Sequence, residues 1–341
     1  MKNSIHNQKF SIAVLLCFFS ISQVMAATTP KWKVAIQGNK NSDYYKSIAA
    51  INNDTVYVVT NTAKVLRTTD AGTNWTSTNL PSWGSGFQPR SISFANAKVG
   101  YVAGDNSIAK TVDNGKTWTK LTDPGTGILI TSVFAISADT CYFGAKGSVY
   151  YTYDGGKTIN STSVGGGLSS IFVTKQGTVY RCGSDGGIYK STNKALSFKC
   201  LSNKIIGSFI DNQIPGIFFA DENTGYAIGL KKTGEVPFAN NIVKTTNAGN
   251  AWTGAAIGIG SSANTKGPMA VCIPTSGIGY VVGVIPSEGE IYIMKTTDAG
   301  VTFSKDSEGA VATDYYAVAV TPRGDVYVAG NGCVITRKAA K

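Results

Sequence analysis

The chain has 341 residues, with 31 Lys and Arg against 20 Asp and Glu, six cysteines and one histidine. That histidine, His6, lies near the start, so the body of the chain offers no Ser-His-Asp or Cys-His nucleophile system and no His-ligated metal site. The net charge of +11 is mostly Lys spread along the chain rather than in blocks. It reads as a solvated basic surface, or as weak attraction to anionic partners, and not as a nucleic-acid site.

Residues 1–26 read as a secretion signal. Lys2 and Lys9 form a basic start, Phe10 to Phe19 an apolar core, and Val24-Met25-Ala26 a small-residue cleavage site. The apolar stretch is too short for a membrane span. Cys17 follows Leu16, where a lipoprotein signal has a small residue. The mature protein is therefore read as 27–341, exported to the periplasm or beyond, with a charge of +9 because only Lys2 and Lys9 are lost. Such a length buries a large core in a single domain.

The next segment, KWKVA (31–35), finds its explanation further along. From residue 68 onward one phrase recurs: TTDAGTNW (68–75), TVDNGKTW (111–118), TYDGGKTI (152–159), STNKALSF (191–198), TTNAGNAW (245–252) and TTDAGVTF (296–303). A repeat of about 40–45 residues suits one four-stranded propeller blade. Each unit also carries a segment rich in Val and Tyr, usually ending in glycine: VYVVT (56–60), GYVAG (100–104), CYFG (141–144), VYRCG (179–183), GYAIG (225–229), GYVVG (279–283) and VYVAG (326–330). Such runs between turn residues read as strands.

These segments number seven and the phrases six, because the last unit stops at CVITRK (333–338). Trp32 matches the aromatic that closes a phrase (Trp75, Trp118 and Trp252), so KWKVA supplies the missing outer strand and closes the ring. The expected fold is all-β: a seven-bladed β-propeller of four-stranded antiparallel blades, completed by the N-terminal strand.

The phrase is identified as the Asp-box, or BNR repeat. Its residues here are Asp70, Gly72, Trp75; Asp113, Gly115, Trp118; Asp154, Gly156; Asn247, Gly249, Trp252; and Asp298, Gly300, Phe303. Blade 3 has Ile159 for the aromatic, and blade 4 has Asn193, Ala195 and Phe198. Such decay fits a structural role. The Asp is expected to bond backbone N–H groups two residues on, the Gly to take positive φ, and the aromatic to pack between blades. The five mature cysteines, Cys141, Cys182, Cys200, Cys272 and Cys333, fall mostly in different units and are expected to be buried free thiols.

Asp-box propellers include sialidases, which clamp a carboxylate with three arginines. Of Arg67, Arg90, Arg181, Arg323 and Arg337, only Arg90 is placed to point into the central mouth, and FQPR (87–90) is not the sialidase signature. A glycosidase needs two carboxylates flanking the bond. The best pair is Asp43 and Asp314, each opening an Asp-Tyr-Tyr triplet before an inner strand, although both residues can equally cap strand starts.

One face of the scaffold carries the uniform boxes and short turns. The other carries the variable loops, and loop variation is how such folds acquire function. The expected binding residues lie there: Trp83, Phe87, Arg90, Tyr44, Tyr45, Tyr315 and Tyr316, with Lys231, Lys232, Glu235 and Phe238 as a rim.

A unit such as PRSISFANAKVGYVAGDNSIAKTVDNGKTWTK (89–120) resembles the repeat of the photosystem II stability/assembly factor-like propellers. The resemblance covers all seven units. It implies an assembly factor rather than an enzyme, holding a newly made protein subunit through an arginine patch on the propeller face. Of that patch only Arg90 is matched; Lys46, Thr131, Ser169 and Pro215 stand at the other places. The expectation is an exported, monomeric, non-enzymatic propeller that binds a protein partner and needs no cofactor or metal. The alternative is a glycan-binding protein or glycoside hydrolase of the Asp-box propeller type.

Overall fold

The computed structural model describes residues 31–39, 42–81, 88–122, 124–125, 127–202, 214–229, 242–255, 267–284, 292–311 and 314–337. They form seven four-stranded antiparallel sheets. The first strands of the blades are Tyr45–Ala50, Pro89–Phe94, Ile130–Ala135, Leu168–Val173, Gly216–Phe219, Pro268–Cys272 and Tyr315–Val320. They neighbour one another in a closed ring around a central channel. Each apolar second strand is buried, because it lies between its own sheet and the faces of the neighbouring blades.

The last blade is closed as expected. Its third strand, Cys333–Arg337, pairs with Lys33–Gln37 from the start of the chain. Trp32 is 2% exposed, donates from Nε1 to the Asp306 carbonyl at 2.9 Å, and meets Tyr280 of blade 6 edge-on at 5.8 Å. It thus fills the seam between blades 6 and 7. Seven apolar clusters occupy the seven seams.

The box turns all fold alike, though differently from the sequence expectation. The Asp accepts from the backbone N–H four residues on, not two: Asn74 N to Asp70 at 2.8 Å and Thr117 N to Asp113 at 2.9 Å. The turn is longer because the box Ser/Thr takes part. Buried Thr68 donates its hydroxyl to Asp70 and accepts from Gly72 N. Box residue Gly72 has φ of 84°, and Ala71 before it is also left-handed at 57°. The decayed blade 4 box keeps the pattern with Ser191, Asn193 and Ala195, the last at φ 62°.

Three kinds of side-chain contact join neighbouring blades, and no local sequence pattern marks them. The tyrosine of the second strand reaches the turns of the next blade: Tyr57 to the Asn114 carbonyl, Tyr101 to Ala138, Tyr180 to Ala248 and Tyr226 to Ala299. Third-strand lysines go to the same places, with Lys110 donating to Ala138 and Gly155, Lys190 to Ala248, and Lys244 to Ala299. Part of the basic charge therefore ties blades together instead of facing solvent. The first strands are also linked through serines, which satisfy N–H groups on an otherwise unpaired inner edge. Ser47 accepts from Ile92 N, Ser91 from Val133 N, Ser93 from Ala135 N and Ser132 from Ile171 N.

All five described cysteines are free. Cys141, Cys182, Cys272 and Cys333 are buried, but Cys200 is exposed because it lies on an outer strand. Arg181 is buried under Tyr189 at 3.7 Å and beside Phe198, where a smaller ring replaces the box tryptophan.

The box carboxylates make acid stability predictable. Hydrogen bonds from Asn74 and Thr68 hold Asp70 down at about 2. For Asp113, burial pushes upward, but bonds from Thr117, Thr111 and the Lys116 amide outweigh it and leave about 2. The hydroxyl of Thr158 holds Asp154 lower still, and that of Thr302 does so for Asp298. Folded values below the ordinary 3.8 mean stabilisation that is present above pH ~4 and lost as pH falls toward ~2. The expected result is a Tm that drops across that window. A variant with Asp70→Asn and Asp113→Asn keeps the turn, as Asn247 already does in blade 5, and has a shallower drop. Equal slopes in the two proteins would show that these carboxylates do not set acid stability.

Candidate functional site

Six first strands begin with one extra residue relative to their partners. In blade 1, Tyr45 faces Thr60 and Ser47 faces Val59, so Lys46 is extra. The same shift leaves out Arg90, Thr131, Ser169, Met269 and Tyr316. A bulge re-aims the side chain it carries. Because strands alternate in direction, these residues stand at the channel mouth opposite the boxes. In blade 5 the ladder runs unbroken from Gly216, so Pro215 has no equivalent place.

The structure brings several of these groups together where blades 7, 1 and 2 meet. The Lys46 ammonium lies 4.4 Å from the Tyr316 ring centroid and 4.8 Å from that of Tyr44. Burial lowers its pKa, Arg90 lowers it further, and Asp314 opposes both. Burial pushes the Tyr316 phenol up to about 12, aided by Asp314. Arg90 donates from Nε to Asp105 at 2.7 Å, and Asn331 donates to Asp314 at 3.3 Å. Tyr44 bridges to Asn331 across the seam between blades 7 and 1.

Two of the expected binding residues are corrected. Tyr45 is 5% exposed and Tyr315 is 0%, so both belong to the core. Tyr315 donates its hydroxyl to the Val311 carbonyl. The two Asp-Tyr-Tyr triplets look equivalent in sequence, but the ladder sets them one residue out of phase. Tyr45 pairs with Thr60 where Tyr315 pairs with Gly330, so Lys46, not Tyr45, is the counterpart of Tyr316. Asp43 and Asp314 are therefore not symmetric either. Asp43 accepts from the Asn39 amide and the Ser42 hydroxyl within its own turn.

Trp83 and Phe87 lie outside the described residues, as do Lys231, Lys232, Glu235 and Phe238. Sequence reasoning missed Asp105 and Asn331 as site residues. Their signal was a polar residue directly after the second-strand glycine, in GYVAGDN and VYVAGNG. Among the described residues, no three His, Cys, Asp or Glu side chains gather as metal ligands, and no helix is long and apolar enough to cross a membrane.

The model of the photosynthesis system II assembly factor YCF48 family matches residues 24–338. The chain belongs to that family. Among solved structures, one described as YCF48 bound to D1 peptide is 16% identical with a TM-score of 0.70, covering 92% of this chain and 98% of that one. YCF48 from Cyanidioschyzon merolae is 15% identical with a TM-score of 0.69, over 90% and 99%. A virginiamycin B lyase from Staphylococcus aureus is 11% identical with a TM-score of 0.71, over 90% and 98%. At these identities the likeness is one of fold, shared by YCF48 proteins and an enzyme alike. No curated protein matches the chain in sequence.

Proposed function

We propose that this protein is an exported, monomeric, non-enzymatic propeller that holds a polypeptide segment of a protein partner at the mouth carrying Lys46. The observation that supports this reading is the bulge ring. It turns Lys46, Arg90 and Tyr316 toward one opening, on rigid strands, with Tyr44, Asp105 and Asp314 beside them. Such a surface offers aromatic area and charge for contact with a partner. Family membership supports an assembly role, and a YCF48 structure described as bound to D1 peptide supports a peptide as the ligand class. Export rests on residues 1–26.

Arg90→Ala combined with Trp83→Ala is expected to weaken partner binding about 30-fold, the equivalent of one strong anchor. Both residues precede or begin a first strand and neither belongs to a box, so the fold is retained. The readout is quantitative capture of partners from the native envelope by the wild type, this variant and an Asp113→Ala box variant. Capture lost in the box variant at unchanged stability, with the mouth variant binding normally, would move the site to the other face. Robust turnover of glycosides that Asp43→Asn or Asp314→Asn abolishes would replace the reading with the hydrolase.

A further inference from the structure

The opposite mouth of the channel holds a cavity of about 590 Å³. It lies at the ends of the first strands of blades 3 to 5, on the box face, and is independent of the partner site proposed above. Its walls include Phe134, Phe172 and Phe219, and its rim includes Lys175, Asp221 and Glu222. The size falls within the roughly 300–1,000 Å³ of small-molecule sites, which are apolar with a few placed polar groups.

Two of the wall residues, Phe134 and Phe172, follow from the ladder, whereas the third, Phe219, stands one place beyond Phe218, opposite Gly225. Every first strand has one residue opposite the second-strand tyrosine. Around the ring these are Ala49, Ser93, Phe134, Phe172, Phe218, Cys272 and Ala319. Three consecutive blades thus carry phenylalanine, and the other four carry small side chains. The rings pack on one another, Phe134 with Phe172 at 4.8 Å and Phe172 with Phe218 at 5.4 Å. The small residues give them no large partner across the channel, and Phe134 and Phe172 stay only half-buried. Partly accessible rings gathered in one cavity, rather than scattered singly over the surface, are the kind of apolar surface that a ligand covers.

The rim selects a charge. Two carboxylates stand against one ammonium, on a chain that is otherwise strongly basic. Asp221 accepts from the Asn223 and Thr224 amides, and its carboxyl is held below the usual range: burial pushes it up, but these bonds outweigh it. Glu222 accepts the Gln176 amide through Oε1 at 2.8 Å, which fixes the carboxylate at the cavity edge. We infer that this cavity binds a small aromatic amine, its ring against Phe134 and Phe172 and its ammonium toward Glu222 and Asp221. A cation near aromatic faces gains from the rings as well as from the carboxylates.

The test uses the mature protein with two probes that share a naphthylmethyl group and differ in the sign of their charge, 1-naphthylmethylammonium and the anion of 1-naphthaleneacetic acid, titrated by calorimetry. The ammonium compound is expected to bind at one site at least about tenfold more tightly, combining a cation–π contact with a half-exposed ion pair. Glu222→Gln is expected to bring the two probes within about threefold of each other, and Phe172→Ala to weaken both by about tenfold. If Phe172→Ala does not fold, Glu222→Gln decides alone, because its side chain is not in the core. Lys46→Ala with Arg90→Ala at the other mouth is expected to leave probe binding unchanged. Equal affinity for both probes, no binding of the ammonium compound, insensitivity to Glu222→Gln, or loss of binding in the Lys46/Arg90 variant would each overturn the assignment.

Discussion

A protein lacking residues 27–37 is expected to lose its cooperative fold and to aggregate. The deletion removes the whole strand that pairs with Cys333–Arg337. It leaves a row of unpaired N–H and C=O groups on blade 7, a template for other chains. It also removes Trp32, whose truncation alone costs about 3–5 kcal/mol for a buried large aromatic. That is a large share of the roughly 5–15 kcal/mol that holds a typical domain folded. The ion pair between Lys31 and Glu308 disappears too, but both partners are well exposed and contribute little. Trp32→Ala separates the two causes, because the ladder stays while the seam between blades 6 and 7 empties. It is expected to unfold at markedly lower urea than the wild type yet remain soluble. A deletion variant with the wild-type urea midpoint would show that the ring closes without this strand.

The architecture was legible in the sequence because each blade repeats its local chemistry. The seven second-strand segments counted the blades, and Trp32, matching the aromatic that closes a box, placed the last strand. What connects the blades was harder to read. The tyrosine in every second strand looked like ordinary strand composition, and its bond to the next blade, as from Tyr180 to Ala248, spans a sequence separation that no local pattern marks. Lysines such as Lys244 looked solvated for the same reason.

The site was legible only to within one residue. Position along a strand decides the side to which a side chain points, and one bulge reverses that choice. The sequence gives no count of residues entering a strand from a loop, so Tyr44 and Tyr45 could not be told apart. The structure puts the first beside Lys46 and the second in the core. Much of the variable face, including Trp83 and Phe87, lies outside the described residues.

The glycine that ends a second strand connects this bulge to stability, and it yields the last prediction. At Gly183 a methyl group would overlap the Gly167 carbonyl oxygen, and at Gly330 that of Asp314. Both oxygens belong to chain entering a first strand, and each accepts a neighbouring amide, from Ser184 and from Asn331. The entering chain therefore cannot move aside without breaking a hydrogen bond, and both φ values are ordinary, so the requirement is for space. Gly330→Ala is expected to cost about 3 kcal/mol, the upper end for overpacking against backbone. It is also expected to weaken partner binding, because Asp314 and the bulge residue Tyr316 shift together. Gly183→Ala, on the far side of the ring from Lys46, is expected to cost a similar amount while its folded fraction binds normally. Ala145, which occupies the matching ladder position in blade 3, shows that the requirement is set blade by blade. Ala145→Gly is accordingly expected to cost no more than about 1 kcal/mol, through chain entropy and a lost methyl contact. Urea midpoints and partner affinities of the three variants check the argument. A Gly330→Ala protein as stable as the wild type would mean that the entering chain is free to move, and that the bulge does not hold the mouth in place.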